Sequence, residues 1–218
     1  MALLLDGPAS AWWQSRLLYG ILDTGYLASE DFPRAARELI AGGAGILQIR
    51  AKRQSAAEIE ELATAVHAVT REAGVPLILN DFAEVAAAVG CEGVHVGQDD
   101  AGVAWVRAVV GPGKIVGKST HSVAQAVAAH AEGADYIGFG PLHATPTKPG
   151  RPAIGLAEIA EVHRLVPLPI FCIGGIKQAN LEEICFAGAR RVVIVSEMLV
   201  AADRSRYASE VTARLARG

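Results

Sequence analysis

Glu132-Gly133-Ala134-Asp135-Tyr136-Ile137-Gly138-Phe139-Gly140 is the stretch on which the reading of the fold turns. It joins the end of an alanine-rich, helix-like segment to a short apolar run and then to a loop. The glycine closes the helix with a positive φ and a small residue starts the return. The run that follows is apolar on both faces, as a parallel strand covered by helices must be. The same punctuation recurs at Ala41-Gly42-Gly43-Ala44, at Val89-Gly90-Cys91-Glu92-Gly93 and at Ala187-Gly188-Ala189-Arg190, each leading into an apolar strand.

Working outward, strands are expected over 17–22, 45–49, 76–79, 93–96, 115–117, 136–139, 169–173 and 192–195. Helical segments between them include 55–73, 82–89, 123–132, 156–165 and 181–186. Ser55 with Glu58 forms a capping box, and Gly74 ends that helix. Asn180 with Glu183 reads as a second start of the same kind. About eight such units in ~200 residues define an α/β chain folded as a single (β/α)8 TIM barrel. A doubly wound sheet would need a glycine-rich turn after the first strand, and Asp23-Thr24-Gly25-Tyr26 is no such turn. The whole of residues 1–218 reads as one domain, with residues 1–16 an extension ahead of the first strand. Trp12 and Trp13 in that extension are expected to plug the barrel's N-terminal end or to join a homo-oligomer contact.

Composition sets the outer bounds. The 218 residues are 51% hydrophobic and 20% charged, enough for a full core, and the net charge is −3. No basic block points to nucleic acid, no apolar run is long enough for a membrane span, and the N-terminus lacks a signal-peptide pattern. Cys91, Cys172 and Cys185 lack metal-ligand spacing and sit among apolar residues, so buried reduced thiols and a cytoplasmic location are expected.

In a TIM barrel the active site lies at the C-terminal ends of the strands. The unusual polar residues fall there in every unit from the second to the eighth. They are Gln48, Arg50 and Lys52; Asn80 and Asp81; His95 with Asp99 and Asp100; Lys118, Ser119 and His121; Thr145, Thr147 and Lys148; Gly174-Gly175; and Ser196. Arg50, Lys52 and Lys148 suit a strongly anionic ligand. The loop Gly140-Pro141-Leu142-His143-Ala144-Thr145-Pro146-Thr147-Lys148-Pro149-Gly150 carries hydroxyls and a cation for an anion, although it would also serve as an ordinary surface loop. Asp81 and Asp100 suit a hard divalent ion such as Mg²⁺, and would equally cap turns or pair with Arg50 or Lys52. Gly174-Gly175, the N–H groups before Asn180, and Ser196 offer a second anion site. Gln48 and Asn80 can read an amide-like heterocycle edge. His67, His130 and His163 read as surface or packing residues and His95 as a satisfied core residue, while His121 and His143 sit in loops at the active end.

These motifs, in this order, resemble the thiamine phosphate synthase family. The resemblance runs from about Leu18 to near Leu199. It rests on Leu47-Gln48-Ile49-Arg50 with Lys52, Leu79-Asn80-Asp81, Gly93-Val94-His95-Val96-Gly97-Gln98-Asp99-Asp100, Gly117 with Ser119-Thr120-His121, Asp135-Tyr136 leading to Gly140-Pro141, Thr145-Pro146-Thr147-Lys148 and Ile173-Gly174-Gly175-Ile176. The resemblance implies an enzyme that joins two small-molecule substrates, hydroxymethylpyrimidine diphosphate and hydroxyethylthiazole phosphate, with release of pyrophosphate. It implies that Gln48, Arg50, Lys52, Asn80, Ser119 and Lys148 contact the pyrimidine diphosphate, with Arg50, Lys52, Ser119 and Lys148 serving the chemistry. Thr145, Thr147, Gly175, Val195 and Ser196 would contact the thiazole phosphate, and Asp81 and Asp100 would hold Mg²⁺. Lys118, Arg53 and His143 depart from the family's usual residues. Lys118 with His121 keeps open the related thiazole tautomerase, and a non-catalytic phosphate-binding barrel is the third reading.

Overall fold

The structure is a computed structural model and describes residues 15–145, 150 and 152–217. Eight strands close into one parallel barrel in chain order. They are β1 (Leu18–Asp23), β2 (Ile46–Arg50), β3 (Leu77–Asn80), β4 (Gly93–Val96), β5 (Ile115–Thr120), β6 (Tyr136–Phe139), β7 (Ile170–Ile173) and β8 (Val192–Ile194), and β8 pairs back onto β1 through Leu18–Val192. The helices are α1 (Phe32–Ala41), α2 (Ala56–Glu72), α3 (Ala83–Val89), α4 (Val103–Val110), α5 (Val123–Ala131), α6 (Ile159–Leu165), α7 (Leu181–Phe186), α8 (Ser196–Val200) and α9 (Arg204–Leu215). The expected TIM barrel is therefore present. None of these helices is long and apolar enough to cross a membrane.

Strand alternation explains the layering. Leu22, Leu47, Leu79, Val94, Ile137, Cys172 and Val192 are buried beneath the helices. The alternate residues fill the barrel, where Tyr19, Tyr136 and Phe171 pack edge to face or tilted at 5.4–5.9 Å between ring centroids. Glycine is required at Gly117, because a Cβ there would stand 2.1 Å from Tyr136 Cζ. The last described helix packs against the first: Arg204 of α9 pairs with Glu38 of α1 at 2.7 Å.

The capping box is formed, with Ser55 Oγ accepting from the Glu58 N–H and the Glu58 carboxylate accepting from the Ser55 N–H at 2.7 Å. Gly43, Gly74, Gly90, Gly133 and Gly188 adopt positive φ. The second expected capping box is not formed. Asn180 turns its side chain back instead, accepting from the Lys177 N–H at 2.8 Å and donating to the Gly175 carbonyl at 3.0 Å. Asn180 thus braces the preceding turn, which needs a polar clamp more than the short helix α7 needs a cap. All three cysteines are free thiols, with Cys91 and Cys172 buried and Cys185 partly exposed. Burial pushes the Cys91 and Cys172 thiols up to about 12, which keeps them protonated and unreactive. Trp12 and Trp13 lie outside the described residues.

Candidate active site

One cavity opens at the C-terminal ends of the strands. Gln48, Arg50, Asn80, Ser119, Thr145, Gly175, Val195 and Ser196, all expected to meet substrate, line it together. Lys52, Asp81 and Asp100 interact with one another in the loops after β2, β3 and β4, beside Asn80. Thr147 and Lys148 lie outside the described residues.

The β1–β4 side of the mouth is ionic. In-register pairing of Asp23 with Arg50 at the ends of β1 and β2 lets Arg50 Nη1 donate to Asp23 Oδ2 at 2.6 Å. Asp23 also accepts from the Gly25 N–H at 2.8 Å. Lys52 Nζ donates to Asp81 Oδ2 at 2.5 Å, and Asn80 Nδ2 donates to the same oxygen at 2.5 Å. Asp81 reaches this position with φ at 71°, in the left-handed region that a short polar side chain tolerates. Burial raises the Asp81 carboxyl above its usual range; Lys52 pulls the other way and Asp100 adds to the rise. Asp81 Oδ1 is buried with no hydrogen-bond partner among the described residues. Asp100 faces it across a like-charge contact and accepts from the Gly97 N–H at 2.7 Å. The loop-capping and ion-pair readings of these aspartates are thus both realised, and neither uses Asp81 Oδ1.

Two carboxylates in contact, one with an orphaned buried oxygen, fit a hard divalent cation. Among the described residues no cluster of three or more His, Cys, Asp or Glu accompanies them, so further ligands would be water or substrate oxygens.

The opposite rim is made of backbone. Leu142 N–H donates to the Ile173 carbonyl at 2.9 Å and His143 N–H to the Gly174 carbonyl at 3.1 Å, which welds the β6 loop onto the β7 loop. A Cβ on Gly174 would stand 2.4 Å from Pro141 Cα, and one on Gly175 would stand 2.7 Å from His143 Cβ. The glycine pair therefore answers first to its neighbouring loop, and the same bareness leaves the Gly175 backbone facing the cavity. Lys177, for which sequence reasoning gave no role, lines the cavity beside it.

The floor is polar at its centre. His95 is satisfied, Nδ1 against Tyr136 Oη at 3.0 Å and Nε2 against Ser119 Oγ at 2.9 Å. His121 lines the cavity with Nδ1 against the Gly140 carbonyl. Lys118 points outward between β5 and the helices and pairs with Glu132, so it adds no charge to the mouth. Arg53 is exposed, and His143 packs against Gly175. Sequence reasoning missed Asp23, Tyr19 and Phe171, and gave Tyr136 a place in a motif but no role. Asp23 had a signal, being the acidic residue at the C-terminal end of a strand.

The closed (β/α)8 barrel thus carries a cavity at the C-terminal ends of its strands, where enzymes of this fold place their active sites. Residues 18–198 match the family model described as thiamine monophosphate synthase. The chain is 41% identical over 197 residues to a thiamine-phosphate synthase of Chloroflexus aurantiacus, covering 90% of this chain and 91% of that one. It is 38% identical over 196 residues to the thiamine-phosphate synthase of Gloeobacter violaceus, covering 88% of this chain and 58% of that relative's length. Thiamine phosphate pyrophosphorylase from Pyrococcus furiosus superposes with a TM-score of 0.83 at 27% identity, over 93% of this chain and 98% of that one. The chain belongs to the thiamine monophosphate synthase family and is a transferase.

Proposed function

We propose that the chain joins hydroxymethylpyrimidine diphosphate to hydroxyethylthiazole phosphate, forming thiamine phosphate and pyrophosphate. The observation that carries this reading is the division of one cavity between an ionic rim and a backbone rim. On one side Arg50 and Asn80 line the cavity, with Asp81 bonded to Asn80 and Lys52 and in contact with Asp100 just beyond them; on the other stand Gly175, Val195, Ser196 and Thr145. The diphosphate belongs to the first and the thiazole phosphate to the second.

The reaction is read as dissociative. The C–O bond to the diphosphate breaks first, and the pyrimidine methylene cation is then captured by the thiazole nitrogen. That nitrogen carries no proton, so no general base is assigned. Arg50 and Lys52 stabilise the negative charge that develops on the leaving group, and Ser119 donates a hydrogen bond to it. Lys148 would add a further cation from the β6 loop. Gln48 and Asn80 orient the pyrimidine ring, while Ile21, Ile173 and Val193 give an apolar lining that keeps water from the cation. Asp81 and Asp100 would hold Mg²⁺, which neutralises diphosphate charge when bound. The outward turn of Lys118 removes one of the two features that favoured a tautomerase.

The test is pyrophosphate release from hydroxymethylpyrimidine diphosphate, with and without the thiazole phosphate and Mg²⁺. Release that requires both, with thiamine phosphate as product, is expected. Asp100→Asn should raise the Mg²⁺ concentration needed while leaving the fold intact, since the residue lies in a loop at the strand ends. No release under any condition would refute the synthase reading.

A further inference from the structure

Five side chains from five strands form one continuous hydrogen-bonded chain across the barrel floor. Gln48 Nε2 donates to Tyr19 Oη at 2.8 Å, and Tyr19 Oη meets Tyr136 Oη at 2.9 Å. Tyr136 Oη meets His95 Nδ1 at 3.0 Å, and His95 Nε2 meets Ser119 Oγ at 2.9 Å. Gln48, Tyr19, Tyr136 and Ser119 are buried, and both chain ends line the cavity. Burial raises both phenols, so they remain neutral hydroxyls. Gly117 and Gly138 make room for the links: a Cβ on the first would strike Tyr136, and one on the second would touch His95 Cε1 at 3.5 Å.

A hydroxyl in such a chain donates one proton and accepts another, so the chain has a direction. With Gln48 donating to Tyr19, Tyr19 donates to Tyr136 and Tyr136 to His95 Nδ1. His95 then carries its proton on Nε2 and donates to Ser119, whose own proton points into the cavity. Gln48 is left presenting Oε1 to the ligand. In the reverse direction every role changes: Ser119 donates inward and offers only a lone pair, while Gln48 accepts from Tyr19 and offers N–H groups. Mixed directions leave two donors or two acceptors facing each other in a buried site, at the cost of an unmade hydrogen bond.

We propose that Tyr19, Tyr136 and His95 are positioning residues that tie the polarity of Gln48 to that of Ser119, so that an anion bound at Ser119 makes Gln48 an acceptor selective for a ring bearing an amino group. An anion has no proton to give and so selects the outward-donating Ser119. The diphosphate half of the substrate thereby sets what the ring half must offer. This rests on reading the cavity as the pyrimidine diphosphate site.

The test compares the wild type with Tyr136→Phe and Tyr19→Phe, without thiazole phosphate, so that no coupling occurs. Binding is measured by calorimetry for the pyrimidine diphosphate and for an analogue with a ring oxo group in place of the amino group. The wild type should prefer the amino ring by at least about tenfold, the scale of one unmade buried hydrogen bond. Both variants should bring that preference close to unity, with affinity for inorganic pyrophosphate changed by less than about threefold, because phosphate contacts remain in place. In parallel, ¹⁵N NMR reads the His95 tautomer with inorganic pyrophosphate as the only ligand. The wild type and both variants should show a single Nε2–H form, because the Ser119 link that sets it is intact in each. Tyr19→Phe leaves the His95 contacts intact, so the selectivity arm survives if Tyr136→Phe fails to fold. Unchanged ring preference in a folded Tyr19→Phe, or an Nδ1–H form in the pyrophosphate-bound wild type, overturns the relay. Failure of thiamine phosphate synthesis would instead overturn the functional reading, and the pyrophosphate NMR arm would still report on the relay.

Discussion

Replacing Asp23 by Asn isolates what holds Arg50 at the mouth. Side-chain exposure is 3% for Asp23 and 16% for Arg50, and their contact is 2.6 Å. Removing one partner of a fully buried ion pair costs about 3–5 kcal/mol because the other charge is left uncompensated. Two features reduce that figure here. The asparagine carbonyl can still accept from the Gly25 N–H, which Asp23 now holds at 2.8 Å. Arg50 also lines the cavity, where solvent screens its charge. What remains is one charge-assisted hydrogen bond, about 2 kcal/mol. For a chain of this size that lowers Tm by roughly 4–8 °C.

Urea unfolding measures the loss directly, with a shifted midpoint and an unchanged slope as the expected result. Inorganic pyrophosphate should then raise the midpoint of Asp23→Asn by more than that of the wild type, since it returns an anionic partner to Arg50. A stability loss below about 0.5 kcal/mol would show that solvent already satisfies Arg50 and that Asp23 does not hold it. Equal stabilisation of both proteins by pyrophosphate would remove Arg50 from the anion site.

Gly117→Ala should destabilise by about 1–3 kcal/mol, as overpacking does, because its Cβ would enter the Tyr136 ring; an unchanged urea midpoint would place that ring elsewhere. His163 on α6 is held down to about 4 from 6.5, first by burial and then by Arg190 and Arg191, and its Nε2 has no hydrogen-bond partner among the described residues. A histidine whose folded value is depressed contributes fully above pH 6.5, and that contribution is lost as pH falls through 4, so His163→Leu should remove roughly 1–2 kcal/mol of acid destabilisation, discounted for partial exposure, in urea midpoints compared across that window. Lys118→Met should leave kcat/KM nearly unchanged, because the buried Lys118 ammonium pairs with Glu132 on the helix side of β5, away from the cavity; a large fall in kcat/KM at unchanged stability would put Lys118 back at the mouth.

The barrel was legible because its signals are local. A glycine that ends a helix, and a short run apolar on both faces, can each be read without knowing what they pack against. Gly133 before β6 and the Ser55–Glu58 capping box are of this kind. The rims were legible for the same reason: Gln48, Arg50, Asn80 and Ser119 are polar residues where strands end. The floor was not. Tyr19 and Tyr136 lie 117 residues apart and read as apolar filling of their strands, and only barrel closure brings their hydroxyls to 2.9 Å. Asn180 shows the converse error, a correct local pattern whose side chain found better partners in the turn before it.

The pairing of the cations bears on what the mouth accepts. Arg50 and Lys52 each already hold an aspartate, so an arriving anion exchanges partners with Asp23 and Asp81 instead of filling a bare positive site. For a bare monoanion that exchange is poor, since displacing Lys52 leaves Asp81 and Asp100 in contact with no counter-charge, and burial has already raised Asp81. On the proposed reading, a diphosphate arriving with a divalent cation would bring both signs at once: its oxygens would replace the carboxylates around Arg50 and Lys52, and Asp81 and Asp100 would be left to hold the cation. Selectivity for a metal-bound diphosphate over a simple phosphate would then follow from the penalty built against the wrong ligand as much as from attraction to the right one.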